Sequence, residues 1–465
     1  MRTTVEEKSL QRQTEAHRAP VKPPGPRGFL GLNALRCLEK DPLSFLRQLQ
    51  SQYGDVASLR VLGMRLVVVA HPDGVRHVLQ DRHAIYTKQN TDYKVLARVL
   101  GQGLVTSDGE FWRRQRRMIQ PAFHKERIRG FATLMSREAM LSRERLVAAA
   151  RAGQTIDIVA EAQRAALAIV VQALFGLAGA DDAPRIAETF TKLNELLSAS
   201  FTSVAGRFPW IPTQANRALN AEKRSMDALV DNLIAARRDA GQGGDDLLGM
   251  LLAMRDEDSG DPMPDAQLRD EITTLLVAGY ETTAMALSWT IYLLGRHPEI
   301  AARVRAEATA VLADRPFSLD DLDKLETTRM VLEEAMRLYP PAWAVSRTPS
   351  QDDELDGYQI KKGAIVFISP WLTHRHPDVW PDPDRFDPDR FATENDADRP
   401  RFAYFPFLGG PRMCIGNAFA SMEARILLAT WLAAVELPLV TDEAIDAEPL
   451  VTLRPRGGVL VRPRL

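Results

Sequence analysis

Cysteine is nearly absent from this chain: among 465 residues there are two, Cys37 and Cys414, far apart. That excludes a disulfide scaffold and fits a reducing, cytoplasmic setting. A structural zinc centre is excluded as well, because no further Cys and His ligands gather near Cys414. Charge of one sign is also lacking, with 59 Lys and Arg against 61 Asp and Glu, a net −2 and no long unmixed block. Neither a disordered chain nor a general nucleic-acid binder is built that way. The stretch Met1 to Arg18 is polar and charged. It has neither a signal-peptide core nor the roughly 20 apolar residues of a membrane helix. A soluble protein with no membrane anchor is therefore expected. No Gly/Ser linker, low-complexity tract or repeat divides the sequence. One large domain over 23–465 follows a polar tail, 1–22, and a monomer is expected.

What is present is mostly helical periodicity. Apolar residues recur at three- and four-residue spacing over Arg129–Ala150, Gln163–Phe175, Asp182–Ser200, Gln214–Arg238, Asp265–Arg296 and Leu325–Leu338. Strand-like runs are few: Val56–Leu62, Leu66–Ala70, Gln359–Ile360, Ala364–Ile368 and a last pair around Leu450–Val461. The pattern predicts a mainly α fold with small β-sheets. Prolines stiffen the lead-in at 20–28.

The densest information lies in Phe407-Leu408-Gly409-Gly410-Pro411-Arg412-Met413-Cys414-Ile415-Gly416, just before an Ala-rich helical run. A thiol there is placed to bind metal as a thiolate, since backbone N–H groups and the positive helix end stabilise negative sulfur. Gly410 and Gly416 are read as permitting turns that a side chain would block, and Gly416 as letting the helix approach a flat cofactor. Arg412 supplies a permanent cation for an anionic cofactor edge, and Phe407 can cover the other side of the sulfur. Five such matches arise by chance at on the order of one in a million positions. The segment resembles the signature loop of the cytochrome P-450 superfamily, the haem-thiolate monooxygenases. The resemblance runs from about Pro23 to the C-terminus. It implies a single haem domain with haem b between a long central helix and the Cys-loop helix, and Cys414 as axial ligand to the iron.

The run Asp265–Arg296 predicts a helix about 50 Å long, which must cross the middle of the molecule. Inside it, Ala278-Gly279-Tyr280-Glu281-Thr282-Thr283 weakens the helix and invites a local bulge. Glu281 and Thr282 match the acid-alcohol pair of the resembled family, which implies proton delivery to dioxygen. Tyr280 is expected to influence access from solvent. A same-fold peroxygenase or isomerase usually dispenses with this pair, and a gas-binding haem protein would be expected to carry a signalling domain.

Further residues fit the resemblance. Glu334 and Arg337 lie three apart on one helix face; the family joins such a pair with a later Arg, either Arg390 or Arg385 here. Trp112 and Arg116, one turn apart, can reach the same anion, and the resemblance makes that anion a haem propionate. Arg347 and Lys94 are further propionate contacts on the same ground. Arg113, Arg114 and Arg117 are read as a solvated basic face that could dock an acidic electron donor. Only about fifty residues follow the Cys loop, too few for a redox domain. NAD(P)H is therefore expected to act indirectly, through a separate ferredoxin or flavodoxin and its reductase. Apolar residues such as Val95, Val99, Leu197, Phe201, Phe208 and Trp343 suit a lipophilic substrate. Lys94, Arg98 or Arg207 could meet a carboxylate, which leaves fatty acid, terpenoid and polyketide-like substrates open.

Overall fold

The computed structural model describes residues 21–26, 32–61, 63–176, 211–239, 246–396 and 399–465, with residue 244 and short pieces between 188 and 200. About half of the predicted helix Asp182–Ser200, together with Phe201, Arg207 and Phe208, falls outside the described residues.

The central helix runs Asp265–Arg296, as its apolar period required. Leu268, Ile272, Leu276, Leu287 and Trp289 are fully buried along it. It packs most closely on the helix Ile158–Phe175, whose Ala162, Ala165, Ala166 and Ala173 present a flat, small-residue face. Among the described residues this partner is the one helix long and apolar enough to cross a membrane, and 72% of it is buried inside the protein. Gly279 sets the separation, because a Cβ there would meet Val170 Cγ2 at 2.9 Å.

The expected bulge is absent. The helix is continuous, and Thr282 Oγ1 donates to the Ala278 carbonyl at 2.7 Å while Thr283 Oγ1 donates to that of Gly279 at 3.2 Å. Both hydroxyls return to the preceding turn, so they need no break in the ladder. Tyr280 is likewise not on a solvent path: it is 1% exposed and sits in the core.

A five-stranded sheet lies to one side, in the order Val56–Val61, Met64–Val69, Ile365–Ile368, Val345–Pro349, Tyr86–Thr87. Met64–Val69 and Ile365–Ile368 pair in parallel, and the other neighbours are antiparallel. Arg347 stands opposite Val366 in this register. Near the C-terminus, Ala447–Pro449 pairs with Leu453–Pro455. Trp289 fixes that hairpin to the central helix by donating Nε1–H to the Leu453 carbonyl at 2.9 Å.

The Glu334–Arg337 pair lies in the helix Glu326–Leu338, and both side chains are fully buried. Arg337 donates to both Glu334 oxygens, at 2.6 and 2.8 Å, and to the carbonyls of His374, Pro383 and Arg385. The choice between the two later arginines is settled by geometry. Arg390 Nε lies 3.6 Å from Glu334, whereas Arg385 contributes its carbonyl.

Candidate haem site

The loop before Cys414 is bent by its glycines and proline. Gly410 has φ +68, and a Cβ would fall 2.0 Å from the Leu79 carbonyl oxygen, so only glycine fits. The Cys414 N–H donates to the Phe407 carbonyl at 2.9 Å, folding the segment back on itself. Gly416 differs from expectation: its φ is −89 and its Cβ direction is open apart from Cys414 Sγ at 4.0 Å. Its value is free space beside the sulfur, together with an N–H that donates to it. The helix Asn417–Ala434 begins immediately after.

Cys414 is accessible, yet what it meets is an interior cavity, with protein closing round the site. Burial therefore pushes its thiol up, while the Gly416 N–H and the Arg116 guanidinium pull it down. Those two groups favour the thiolate once a metal replaces the proton.

The cavity encloses about 1400 Å³. The Cys loop supplies one wall, through Phe407, Arg412, Cys414 and Gly416, and the central helix faces it with Ala278, Gly279, Glu281 and Thr282. Ala278 is exposed in the middle of an otherwise buried helix because it looks into this space.

Lys88, Arg116, Arg347 and Arg412 gather at the cavity with Trp112, and Lys40, Arg329, Arg425 and Arg456 also line it. Arg412 stacks 3.9 Å over the Trp112 ring, pairs with Asp108 and donates to the Ser107 carbonyl at 2.9 Å. Arg347 donates to Tyr93 Oη at 2.7 Å. Lys88 Nζ donates to the Val105 carbonyl at 2.8 Å, and its backbone N–H to Asp108. Burial, then the neighbouring Arg347 and Arg412, drive Lys88 well below the usual lysine range, and burial brings Arg412 down to about 10. Such mutual repulsion means the cluster fits a group bearing two negative charges.

Lys94 does not belong to this cluster. It points out from the helix Thr91–Leu100 and is exposed, and Lys88 holds the place expected of it. Trp343 lines the cavity as expected, together with Leu96, Leu100, Leu104, Leu275 and Val345, whereas Val95, Val99 and Leu197 are core residues.

Glu281 is 2% exposed and accepts from three side chains: Gln163 Nε2 at 3.1 Å, Thr452 Oγ1 at 3.1 Å and Arg454 Nη2 at 2.7 Å. None of these partners is close in sequence, and no local motif marks them. The basic face at 113–117 also differs from expectation. Arg113 pairs with Glu110, Arg114 with Asp256 at 2.8 Å, and Arg117 with Asp256 and Asp258, so its charge is largely compensated within the chain. A separate groove of about 410 Å³ runs between Trp112, Arg116 and His124.

A helical domain crossed by one long helix, with a thiol at a helix N-terminus facing it across a cavity and cations along one edge, is the architecture of a haem-thiolate oxygenase. The comparisons say the same. The family described as Cytochrome P-450 matches residues 22–461, and the chain belongs to that family. It is 35% identical over 422 residues to cyclooctatin synthase of Streptomyces melanosporofaciens, covering 90% of each chain. It is 34% identical over 414 residues to pentalenene oxygenase of Streptomyces avermitilis, covering 89% of this chain and 90% of the other. The crystal structure of the cytochrome P-450DA haem domain superposes with a TM-score of 0.85 at 29% identity, over 96% of this chain and 98% of that one. The protein is thus a P-450-type oxidoreductase, and the family implies haem with cysteine thiolate ligation, a lipophilic substrate, dioxygen and a redox partner.

Proposed function

We propose that this enzyme hydroxylates or epoxidises a neutral, cyclic terpenoid-like hydrocarbon, using electrons that a separate ferredoxin or flavodoxin and its reductase take from NAD(P)H in the cytoplasm. The observation that carries this is the cavity itself. Its substrate side is apolar, through Leu96, Leu100, Leu104, Leu275 and Val345. Lys94 turns to solvent, and Arg98 does not line the space, so neither supports the fatty-acid reading. Similarity to cyclooctatin synthase and pentalenene oxygenase supports the terpenoid reading too.

The bound haem supplies reductive activation of dioxygen and transfer of one oxygen atom to the substrate. Cys414 Sγ would be the thiolate ligand. Arg116, Arg347, Arg412 and Lys88, with Trp112 Nε1–H, would hold the propionates, and Phe407 would cover the sulfur. Thr282 Oγ1 lies at the cavity wall and would offer its proton there by turning away from the Ala278 carbonyl to which it now donates, and Glu281 is the acid next to it in the helix. Holding that carboxylate between Arg454, Thr452 and Gln163 keeps it buried without stranding its charge. This pair at the cavity wall favours a monooxygenase over a peroxygenase, isomerase or gas-binding protein.

The test is titration of the purified holoenzyme with pentalenene and with palmitic acid, followed by the Soret shift. Turnover with a plant-type ferredoxin, its reductase and NADPH under isotopically heavy dioxygen comes second. Pentalenene is expected to shift the spectrum and gain one heavy oxygen atom. A response to palmitic acid alone, or equal turnover with hydrogen peroxide and no donor, contradicts the reading.

A further inference from the structure

Two adjacent carboxylates near the start of the central helix are left unexplained by the haem site. Asp270 Oδ2 accepts the Gln102 N–H at 2.8 Å, and Glu271 Oε2 accepts the Leu104 N–H at 3.0 Å. One turn further, Thr274 Oγ1 lies 3.5 Å from the Leu100 carbonyl. The contact is close enough to dictate glycine on the other side. A Cβ on Gly103 would sit 2.1 Å from Thr274 Oγ1, and one on Gly101 2.1 Å from the Asp270 carboxyl.

The seam holds a segment that matters. Leu100, Leu104 and Val105 line the cavity, while the far end of the same loop gives Arg412 its Ser107 carbonyl and its Asp108 partner. A loop with two glycines loses much conformational entropy when ordered, so its position depends on such anchors. Gln115 holds the outer side, donating Nε2–H to the Gln102 carbonyl at 2.7 Å. Glu271 is fully buried, and its Oε1 has no partner among the described residues. A carboxyl is costly to bury, and the hydrogen bond it accepts from Leu104 comes from the loop.

We infer that Asp270 and Glu271 are positioning residues that clamp the 100–107 loop against the central helix, and so set the shape of the cavity wall on which the substrate rests. The inference rests on the cavity being the substrate site, and it does not depend on which substrate is used.

The experiment compares wild-type holoenzyme with Glu271→Leu, Glu271→Gln and Gly103→Ala. Hydrogen–deuterium exchange is followed over 101–107, and binding of imidazole and of N-dodecylimidazole is read from the Soret shift. Imidazole needs little room and reports an intact haem pocket; the dodecyl chain must lie along the cavity wall. Losing a buried hydrogen bond is worth about 1 kcal/mol, roughly fivefold in an equilibrium. Glu271→Leu is therefore expected to speed loop exchange about fivefold and to change the affinity ratio of the two ligands several-fold, with imidazole binding constant. Glu271→Gln, whose amide oxygen accepts the same N–H, is expected to stay within about twofold of wild type. Gly103→Ala pushes the loop away from the opposite side and gives the same readouts if Glu271→Leu fails to retain haem. Unchanged exchange or an unchanged ratio in both disruptive variants overturns the clamp, as does a Gln variant that behaves like the Leu variant. Failure of the terpenoid assignment would leave all of these readouts standing.

Discussion

Replacing Arg337 with Met removes the hub of the buried network under the Cys loop. Glu334 loses two charge-assisted hydrogen bonds, and the His374, Pro383 and Arg385 carbonyls lose their donor. Stranding a buried carboxylate costs about 3–5 kcal/mol, and the three carbonyls add about 1 kcal/mol each. Arg390, at 3.6 Å, and the Asp387 N–H remain as partial compensation. A net loss of roughly 5 kcal/mol is a large part of a typical folding free energy of about 5–15 kcal/mol. Burial already pushes the Glu334 carboxyl up while Arg337 holds it down, so without Arg337 the group takes up a proton more readily. The variant is then least impaired at low pH and loses stability as pH rises through the raised value. Replacing Glu334 by Met as well removes the stranded acid and should recover roughly 2 kcal/mol. The assay is the urea midpoint for haem loss of wild type, Arg337→Met and the double variant at two pH values. A single variant as stable as wild type, or a double variant that is worse than the single one, refutes the reasoning.

Thr282→Ala removes the hydroxyl that lines the cavity, and only a helix back-bond is lost structurally; NAD(P)H consumption should persist with severalfold more hydrogen peroxide per product, and an unchanged ratio would make Thr282 a mere helix residue. Glu271 is pushed up from 4.5 to about 8, first by burial and then by Asp270. The folded protein keeps a proton that the unfolded chain releases above 4.5, so this contribution to stability is full at low pH and is lost as pH climbs toward 8. Denaturation midpoints across that window should fall more steeply in wild type than in Glu271→Gln, and identical slopes would contradict the assignment.

The parts legible from sequence were those whose chemistry is local. The Cys loop needs its residues consecutive, and the central helix carries its own period, so its limits Asp265 and Arg296 are met in the structure. Lys94 and Lys88 look alike in sequence, and only the turn of the helix Thr91–Leu100 sends one to solvent while the other is buried. Arg454 meets Glu281 across more than 170 positions, through a hairpin pinned by Trp289. No spacing rule reaches that far. In the basic run at 113–117, Arg114 and Arg117 meet counter-charges, Asp256 and Asp258, from a distant loop that no local pattern announces. Back-bonding by Thr282 and Thr283 to the preceding turn keeps the ladder regular where the sequence suggests a bulge.

The central claim is that Cys414 binds haem iron as a thiolate, and the ferrous carbonyl spectrum tests it most directly. Wild-type protein reduced under carbon monoxide should show the strongly red-shifted Soret band of thiolate ligation, and Cys414→Ser or Cys414→His should lose it while haem is still detected. Persistence of that band in either variant, or its absence from the wild type, would contradict the account.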